Sequence, residues 1–173
     1  MKSLVLFTLS AVFSASVQAQ DINKEIFQKN IVILYEAAAS GFKEIKKESS
    51  GTTDRGNAKF HASRKVSGAK DVFIDVDSED SHTYVALFEA NDVESAKKMV
   101  EEMTVLASEV LAENGLVRKK GTEMRYEGYR KQTIEYDSDN IDLMGKYPSF
   151  EFGVLRDTEP PLVEMVINEP LWK

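Results

Sequence analysis

The chain contains two histidines and no cysteine. Imidazole supplies much of the acid–base and metal chemistry of proteins near neutral pH, whereas the absence of thiols excludes disulfides, zinc–thiolate sites, iron–sulfur clusters and thiol catalysis. His61 and His82 fall on different predicted strands, at exposed or edge positions, so they meet only if those strands are neighbours. A catalytic zinc typically needs three protein ligands, and no His-Glu-x-x-His pattern occurs. We therefore interpret both histidines as solvated sheet residues and expect no metal, cofactor or catalytic role for them.

Two short segments match motifs of penicillin-recognising enzymes. Ser40-Gly41-Phe42-Lys43 fits the Ser-x-x-Lys motif, and Ser138-Asp139-Asn140 fits the second motif of that class. The third motif, Lys-Thr-Gly, is absent, because residues 120–122 read Lys-Gly-Thr and precede the second motif. The chain is also too short for that fold. We interpret both matches as coincidence and expect a protein that is not an enzyme.

Acidic residues are concentrated in two predicted turns, and this is the one enrichment in the sequence that suggests a bound ligand, a calcium ion. Calcium takes about six to eight oxygen ligands, which alternate residues of a turn can donate. Neither of the two acidic turns has the central glycine or the distal glutamate of a helix–loop–helix calcium site, so solvated turns are favoured. The first turn contains Asp75, Asp77, Glu79 and Asp80, and the second contains Asp137, Asp139, Asn140 and Asp142. Three further carboxylates on predicted strands would support acid–base hydrolysis only if the fold brings them together: Glu123, Glu127 and Glu135.

The charge pattern is uneven along the chain. The net charge is −7, which argues against nucleic acid or an anionic membrane as the main partner. The segment 43–70 is mainly basic and the segment 71–94 is acidic. This favours pairing across adjacent antiparallel strands, with docking on a partner as the alternative. An aromatic group in the C-terminal half is typical of a core, with a binding surface as its alternative: Tyr126, Tyr129, Tyr136, Tyr147, Phe150 and Phe152.

The first nineteen residues have the pattern of a secretory signal peptide. Lys2 supplies the positive charge, residues 4–12 form a short apolar run, and Val17-Gln18-Ala19 fits a signal-peptidase site. The run is too short to span a bilayer. We therefore expect residues 1–19 to be removed and residues 20–173 to form one domain that is exported to the periplasm or beyond, without stable membrane insertion.

Two segments of the mature chain have helical periodicity. The spacing of Phe27, Ile31, Leu34, Ala38, Phe42 and Ile45 predicts an amphipathic helix from about Asp21 to Lys47, with a bend or an early end possible at Gly41. A second helix is predicted from a capping start at Asn91 to a stop at Asn114-Gly115. Its apolar stripe consists of Val93, Ala96, Val100, Met103, Ala107, Val110 and Leu111.

The remaining segments alternate as strands do. Three are predicted between the helices, covering residues 60–66, 72–76 and 82–88, and the last is apolar on both faces and therefore central. Three or four more follow the second helix, the later ones at residues 129–136, 150–155 and 162–167. The sequence predicts an α+β fold in the order α-β-β-β-α-β-β-β-β, with two helices packed on one face of an antiparallel sheet of six to seven strands.

Several of these segments carry a family resemblance. Phe42-Lys43-Glu44-Ile45-Lys46 at a helix end, Ser67-Gly68-Ala69 between strands, the strand 82–88, and Ser95-Ala96-Lys97-Lys98-Met99 in a helix follow one another in order. This pattern, over roughly residues 25–115, resembles small exported bacterial proteins of unknown function, and the element order is similar to the secretion-chaperone-like α+β fold. The resemblance implies protein binding and, for the chaperones, frequent dimerisation. It implies no catalytic residues, and the strands after Gly121 stand where that fold would end in a helix.

The sequence therefore favours an exported, non-enzymatic binding protein. A protein partner or a second copy of the chain is the first expectation for what it binds. A small apolar ligand held between the helices and the sheet is the alternative, and a carboxylate-based hydrolase is the third.

Overall fold

The computed structural model describes residues 22–119, 123–126, 129–138, 140, 143, 145–155 and 158–171, and for residues 119, 123–126 and 129–135 it describes the backbone alone. Within these residues the chain forms two α-helices and one antiparallel β-sheet, which confirms the predicted α+β class. The predicted signal peptide, residues 1–19, lies outside the described residues.

The first helix, α1, spans Lys24–Ala39 and therefore ends well before the predicted boundary at Lys47. Its apolar face is buried as the periodicity predicts, and so are two residues of the same stripe beyond its end, Phe42 and Ile45. The chain leaves the helix because Gly41 and Phe42 take left-handed backbone angles, with φ of +66° and +56°. The periodicity identified the core residues correctly but overestimated the length of the helix.

The second helix, α2, spans Val93–Glu113. Asp92 caps it, because its carboxylate accepts a hydrogen bond of 2.7 Å from the backbone N–H of Ser95. The predicted cap, Asn91, is therefore wrong by one residue. The predicted stop is confirmed, since the helix ends at Asn114 and Gly115 follows with a φ of +78°. None of the helices in the described residues combines the length and the apolar character needed to cross a membrane.

Nine strands are present in the described part of the chain. They are β1 (Lys46–Thr52), β2 (Ala58–Ala62), β3 (Asp71–Val76), β4 (His82–Glu89), β5 (Leu116–Lys119), β6 (Glu123–Tyr126), β7 (Tyr129–Ser138), β8 (Ser149–Leu155) and β9 (Leu162–Asn168). Their order across the sheet is β1-β2-β3-β4-β9-β8-β7-β5. β5 and β6 pair with opposite ends of β7, on the edge that β8 does not use, so the nine strands occupy eight positions.

The predicted strand count and order need correction. Two strands were missed: β1, whose residues were assigned to the helix end and a turn, and β5, which directly follows α2. β2 stops at Ala62, so the rest of the predicted strand to Val66 is a connection. The predicted central position of residues 82–88 is confirmed, because β4 lies in the middle of the sheet between β3 and β9.

Both helices pack on the same face of the sheet. Tyr35 of α1 stacks on Phe150 of β8, with ring centroids 6.3 Å apart. The hydroxyl of Tyr136 in β7 donates to the carbonyl oxygen of Thr104 in α2 at 3.0 Å. Gln28 of α1 joins the two helices by donating to a backbone carbonyl of α2. One apolar core therefore lies between the helix pair and this face of the sheet.

Candidate functional site

A buried polar cluster lies where α1 ends and β1 begins. The left-handed turn at Gly41 and Phe42 reverses the chain, and the backbone N–H of Lys46 then bonds to the carbonyl oxygen of Phe42 at 2.9 Å. This turn places Lys46, the first residue of β1, beside the first residue of β4, His82. The left-handed turn is thus what brings a lysine and a histidine together.

The cluster consists of Lys46, His82 and Glu169. The ammonium nitrogen of Lys46 lies 2.6 Å from Nε2 of His82. Oε1 of Glu169 accepts the backbone N–H of His82 at 2.8 Å and lies 3.4 Å from Nδ1 of the same imidazole. The side chains of His82 and Glu169 are 7% and 3% exposed, whereas Lys46 is half-buried. Three ionisable groups therefore form one chain that runs from the interior toward the surface.

Gly41 makes room for this cluster. A Cβ atom at position 41 would lie 2.7 Å from Oε2 of Glu169 and 3.9 Å from Nδ1 of His82. The glycine therefore serves both the left-handed turn and the close approach of the buried carboxylate.

The two histidines do not meet. His61 lies on β2, and β3 separates that strand from β4. The strand registers also put His61 on the sheet face opposite to His82, because His61 pairs with Phe73 whereas His82 pairs with Val76. His61 is exposed, as predicted. The prediction that His82 is solvated is wrong, since it lies on the helix-covered face at the point where α1 ends.

An open groove of about 580 Å³ is lined in part by residues that are close in sequence to the cluster. The end of α1 and the turn after it form one wall, the segment before β8 forms another, and the residue after Glu169 completes it. Its lining residues are Tyr35, Ala39, Ser40, Lys43, Lys146, Tyr147, Pro148 and Pro170. The groove thus combines aromatic rings and prolines with two lysines, and its described lining residues include neither histidine nor carboxylate.

The groove lining is electropositive. Lys43 and Lys146 are exposed, and neither ammonium group forms an ion pair within the described part of the chain. Burial raises the pKa of the Tyr35 hydroxyl, and the nearby Tyr147 raises it further. Tyr35 therefore stays protonated at neutral pH and can donate a hydrogen bond to an acceptor in the groove.

The segments that match penicillin-recognising enzymes lie on different elements, the end of α1 and the end of β7. Ser40 caps the C-terminal end of α1 and donates its hydroxyl to the carbonyl oxygen of Ala37 at 3.0 Å. The negative end of the helix dipole disfavours an alkoxide there. Ser138 is buried on β7, and its hydroxyl contacts the carbonyl oxygen of Asn140 at 3.4 Å. Asp139 lies outside the described residues.

In both acidic turns, a carboxylate accepts hydrogen bonds from backbone N–H groups of the same turn. Oδ1 of Asp77 accepts the backbone N–H groups of Glu79 and Ser81, each at 2.9 Å, and Asp137 accepts the N–H of Ser138 at 2.7 Å. Asp139 and Asp142 lie outside the described residues. In the part of the chain that the structure describes, no group of three or more histidine or acidic side chains could hold a metal ion.

The remaining expectations are met only in part. Lysines of the basic segment pair with carboxylates of the acidic one: Lys59 with Asp71 at 3.1 Å, and Lys70 with Glu89. Tyr136, Phe150 and Phe152 are core residues as predicted, whereas Tyr147 is exposed in the groove. The side chains of Tyr126, Tyr129, Glu123 and Glu135, and all of Glu127, lie outside the described residues.

Sequence reasoning missed Glu169, Lys46 and most of the groove. A signal for Glu169 exists, because the alternation Val163, Met165, Ile167 continues onto it and places a carboxylate on the core face. No comparable signal marks Lys46, whose position depends on the left-handed turn.

No protein-family model matches this chain, and no curated protein matches it.

Proposed function

We propose that this protein is an exported, non-enzymatic binding protein and that the groove at the end of α1 holds a small organic anion with a ring. The observation that carries this proposal is a concave site that combines two tyrosines and two prolines with two lysines that form no ion pairs with the described residues. The sequence pattern of residues 1–19 supports export to the periplasm or beyond.

The size and lining of the groove suit a small molecule. Ligand pockets typically enclose about 300–1,000 Å³ and combine apolar walls with a few polar groups. The ring of Tyr35 is held against Phe150, and Pro148 and Pro170 are buried, so this wall is preformed. A preformed wall lowers the entropy lost when a ligand binds.

The charge of the groove supports an anionic ligand. The protein as a whole carries a net charge of −7, yet the charged residues among the described lining of the groove are lysines. A carboxylate or a related anion would pair with them, and the hydroxyl of Tyr35 would add a hydrogen bond. The ring of the ligand would lie against the aromatic and proline surfaces.

A protein partner that adds a strand is less favoured at the β1 edge. β1 is an edge strand that carries Lys46 and Lys47, and its register with β2 shifts twice, between Lys46 and Ser49 and between Ser49 and Gly51. Edge lysines and bulges are the devices by which proteins block pairing with another chain.

The experiment uses three ligands with the same ring and different charge. Benzoate, benzyl alcohol and benzylamine are titrated into the labelled mature protein, and backbone amide shifts are recorded by NMR. We expect benzoate to shift Ser40, Lys43 and Tyr147 and to bind at least about tenfold more tightly than benzylamine. The double variant Lys43→Gln/Lys146→Gln should lose about tenfold in benzoate affinity, because two exposed charge contacts contribute on the order of 0.5–1 kcal/mol each.

Lys47→Gln is the matched control. Lys47 is an exposed lysine of β1 that does not line the groove, so its loss should leave benzoate binding unchanged. If none of the three ligands shifts the groove residues, the groove is not the binding site. If benzylamine binds as well as benzoate, the anionic class is wrong.

A further inference from the structure

When Lys46 is an ammonium group and His82 is neutral, the geometry of the buried cluster determines where the ring proton lies. An ammonium group donates hydrogen bonds and cannot accept them, so Nε2 of His82 must accept from Lys46 across 2.6 Å. The ring proton of neutral His82 is then on Nδ1, which faces Oε1 of Glu169. The cluster therefore places three groups next to one another in space: the proton donor Lys46, the base His82, and the Glu169 carboxylate that orients the base.

This order is that of an activated nucleophile. Nucleophilic side chains in proteins are typically within about 2.6–3.2 Å of a base, and a third group orients that base. Glu169 is held by the backbone N–H of His82 at 2.8 Å, so the carboxylate and the histidine are fixed relative to each other. Lys46 lies on the edge strand β1, and its ammonium nitrogen is 5.0 Å from the ring centre of Phe60 on the neighbouring strand β2.

We propose that Lys46 is a reactive amine that captures small aldehydes or ketones covalently, with His82 as its base and Glu169 as the residue that positions the base. This site is distinct from the groove, and it goes beyond the proposed function because it forms a covalent bond. Lys46 does not line the groove.

The step balances without an oxidant or a reductant. Nε2 of His82 takes a proton from the Lys46 ammonium, and the resulting imidazolium faces the Glu169 carboxylate. The free amine adds to the carbonyl carbon, the carbonyl oxygen takes up protons, and water leaves. An aldehyde and an ammonium group thereby give a protonated imine and one water molecule, and the imidazole returns to its neutral form.

Lys47 provides an internal control in the same peptide. It is the next residue, it is exposed, and the structure gives it no histidine neighbour among the described residues. Cleavage after Glu44 and Glu48 releases residues 45–48, and fragmentation of this peptide assigns an adduct to one lysine or the other.

The experiment treats the native protein with propionaldehyde and cyanoborohydride, which reduces the imine to a stable adduct, and measures the ratio of Lys46 to Lys47 modification. We expect a ratio of at least about ten at neutral pH, because a positioned base typically contributes 10²-fold or more. Unfolding in urea should bring the ratio to about one. The charged groups that contact the imidazole in the described part of the chain are Lys46 and Glu169.

Two variants separate activation from simple exposure. Glu169→Gln keeps the shape and the acceptor oxygen but removes the charge, and it should reduce the native ratio severalfold. His82→Asn should bring the ratio close to one. A native wild-type ratio of one or less overturns the proposal, and so does a high ratio that neither folded variant reduces. The comparison of native with urea-unfolded wild-type protein needs no variant, so the test stands even if a variant does not fold.

Discussion

At the scale of single residues, Gly41 has the largest effect on the fold and on the buried cluster. Its left-handed angle ends α1, and its missing side chain leaves space for the buried carboxylate of Glu169. Three features depend on this position: the length of the helix, the start of β1 and the cluster around His82. Gly41 contributes no chemical group to the cluster around His82, but its conformation and its lack of a side chain allow the cluster to form.

Replacing Gly41 by alanine tests this dependence. Gly41→Ala should cost about 1–2 kcal/mol for the left-handed angle, and about 2 kcal/mol more because the carboxylate must move away from the N–H of His82. The free energy of unfolding is measured by urea denaturation. Gly56→Ala is the control, because Gly56 has a φ of +82° with no atom within 4 Å of an added Cβ. Equal losses in the two variants would contradict the role assigned to the Glu169 contact.

At the scale of elements, the ends of the helices decide what the sheet can position. α1 ends in a left-handed turn that leads into β1, whereas α2 begins at an acidic cap and ends at Asn114, just before Gly115. The hydrogen bond from the backbone N–H of Ser95 lowers the pKa of the Asp92 carboxyl. Since the folded state favours the charged form of Asp92, the cap contributes stability above the ordinary aspartate pKa of about 3.9, and this contribution is lost as the pH falls below it.

The cap of α2 gives a prediction at this scale. Asp92→Ala should lower the Tm at neutral pH by about 2–4 °C, because the N–H of Ser95 loses its acceptor. Asp92→Asn should retain most of the Tm, since asparagine caps as well as aspartate, but it should lose the pH dependence that comes from this group. Thermal unfolding followed by circular dichroism at neutral pH and at about pH 3 measures both effects. If Asp92→Asn falls as far as Asp92→Ala, the cap acts through its charge rather than through the hydrogen bond.

At the scale of the whole molecule, the expected cleavage site lies before every helix and strand of the described fold. The first described cap, Asn23, follows the expected cleavage site at Ala19, so α1 and the sheet lie entirely within the expected mature chain. Removing residues 1–19 leaves 154 residues and, since Lys2 is the only charged residue of the leader, changes the net charge from −7 to −8. A chain without cysteine forms no disulfides, so core packing is the main source of its stability.

Export is tested on the full chain. When it is expressed with its leader in a bacterial host, the protein recovered from the periplasm or the medium should begin at Gln20, as measured by intact mass and N-terminal sequencing. Leu6→Arg, which places a charge in the apolar run, should keep the chain in the cytoplasm with its leader attached. Recovery of an exported chain that still begins at Met1 would contradict the predicted cleavage.

Much of the fold follows from patterns within short segments. The period of the apolar residues identified both helix faces, and short apolar runs identified the strands β8, β9 and β4, the last as central because it is apolar on both faces. β1 was missed because Lys46–Thr52 has no apolar alternation: it is an edge strand with almost every side chain exposed, and pairing with β2 alone makes it a strand. β5 was missed because four residues are too few for a pattern.

The sequence by itself determined the α+β class, most of the core and the end of α2, because hydrophobic period and helix-stop chemistry act between residues that are near in the chain. Only the tertiary structure decided that His82 is buried beside Glu169 and Lys46, and that Tyr35 and Lys43 share a groove with Lys146 and Tyr147. His82 and Glu169 are 87 residues apart in the sequence, and they meet because β4 and β9 are neighbours in the sheet. Strand order is set by the summed burial of the whole core, and no local pattern carries that information.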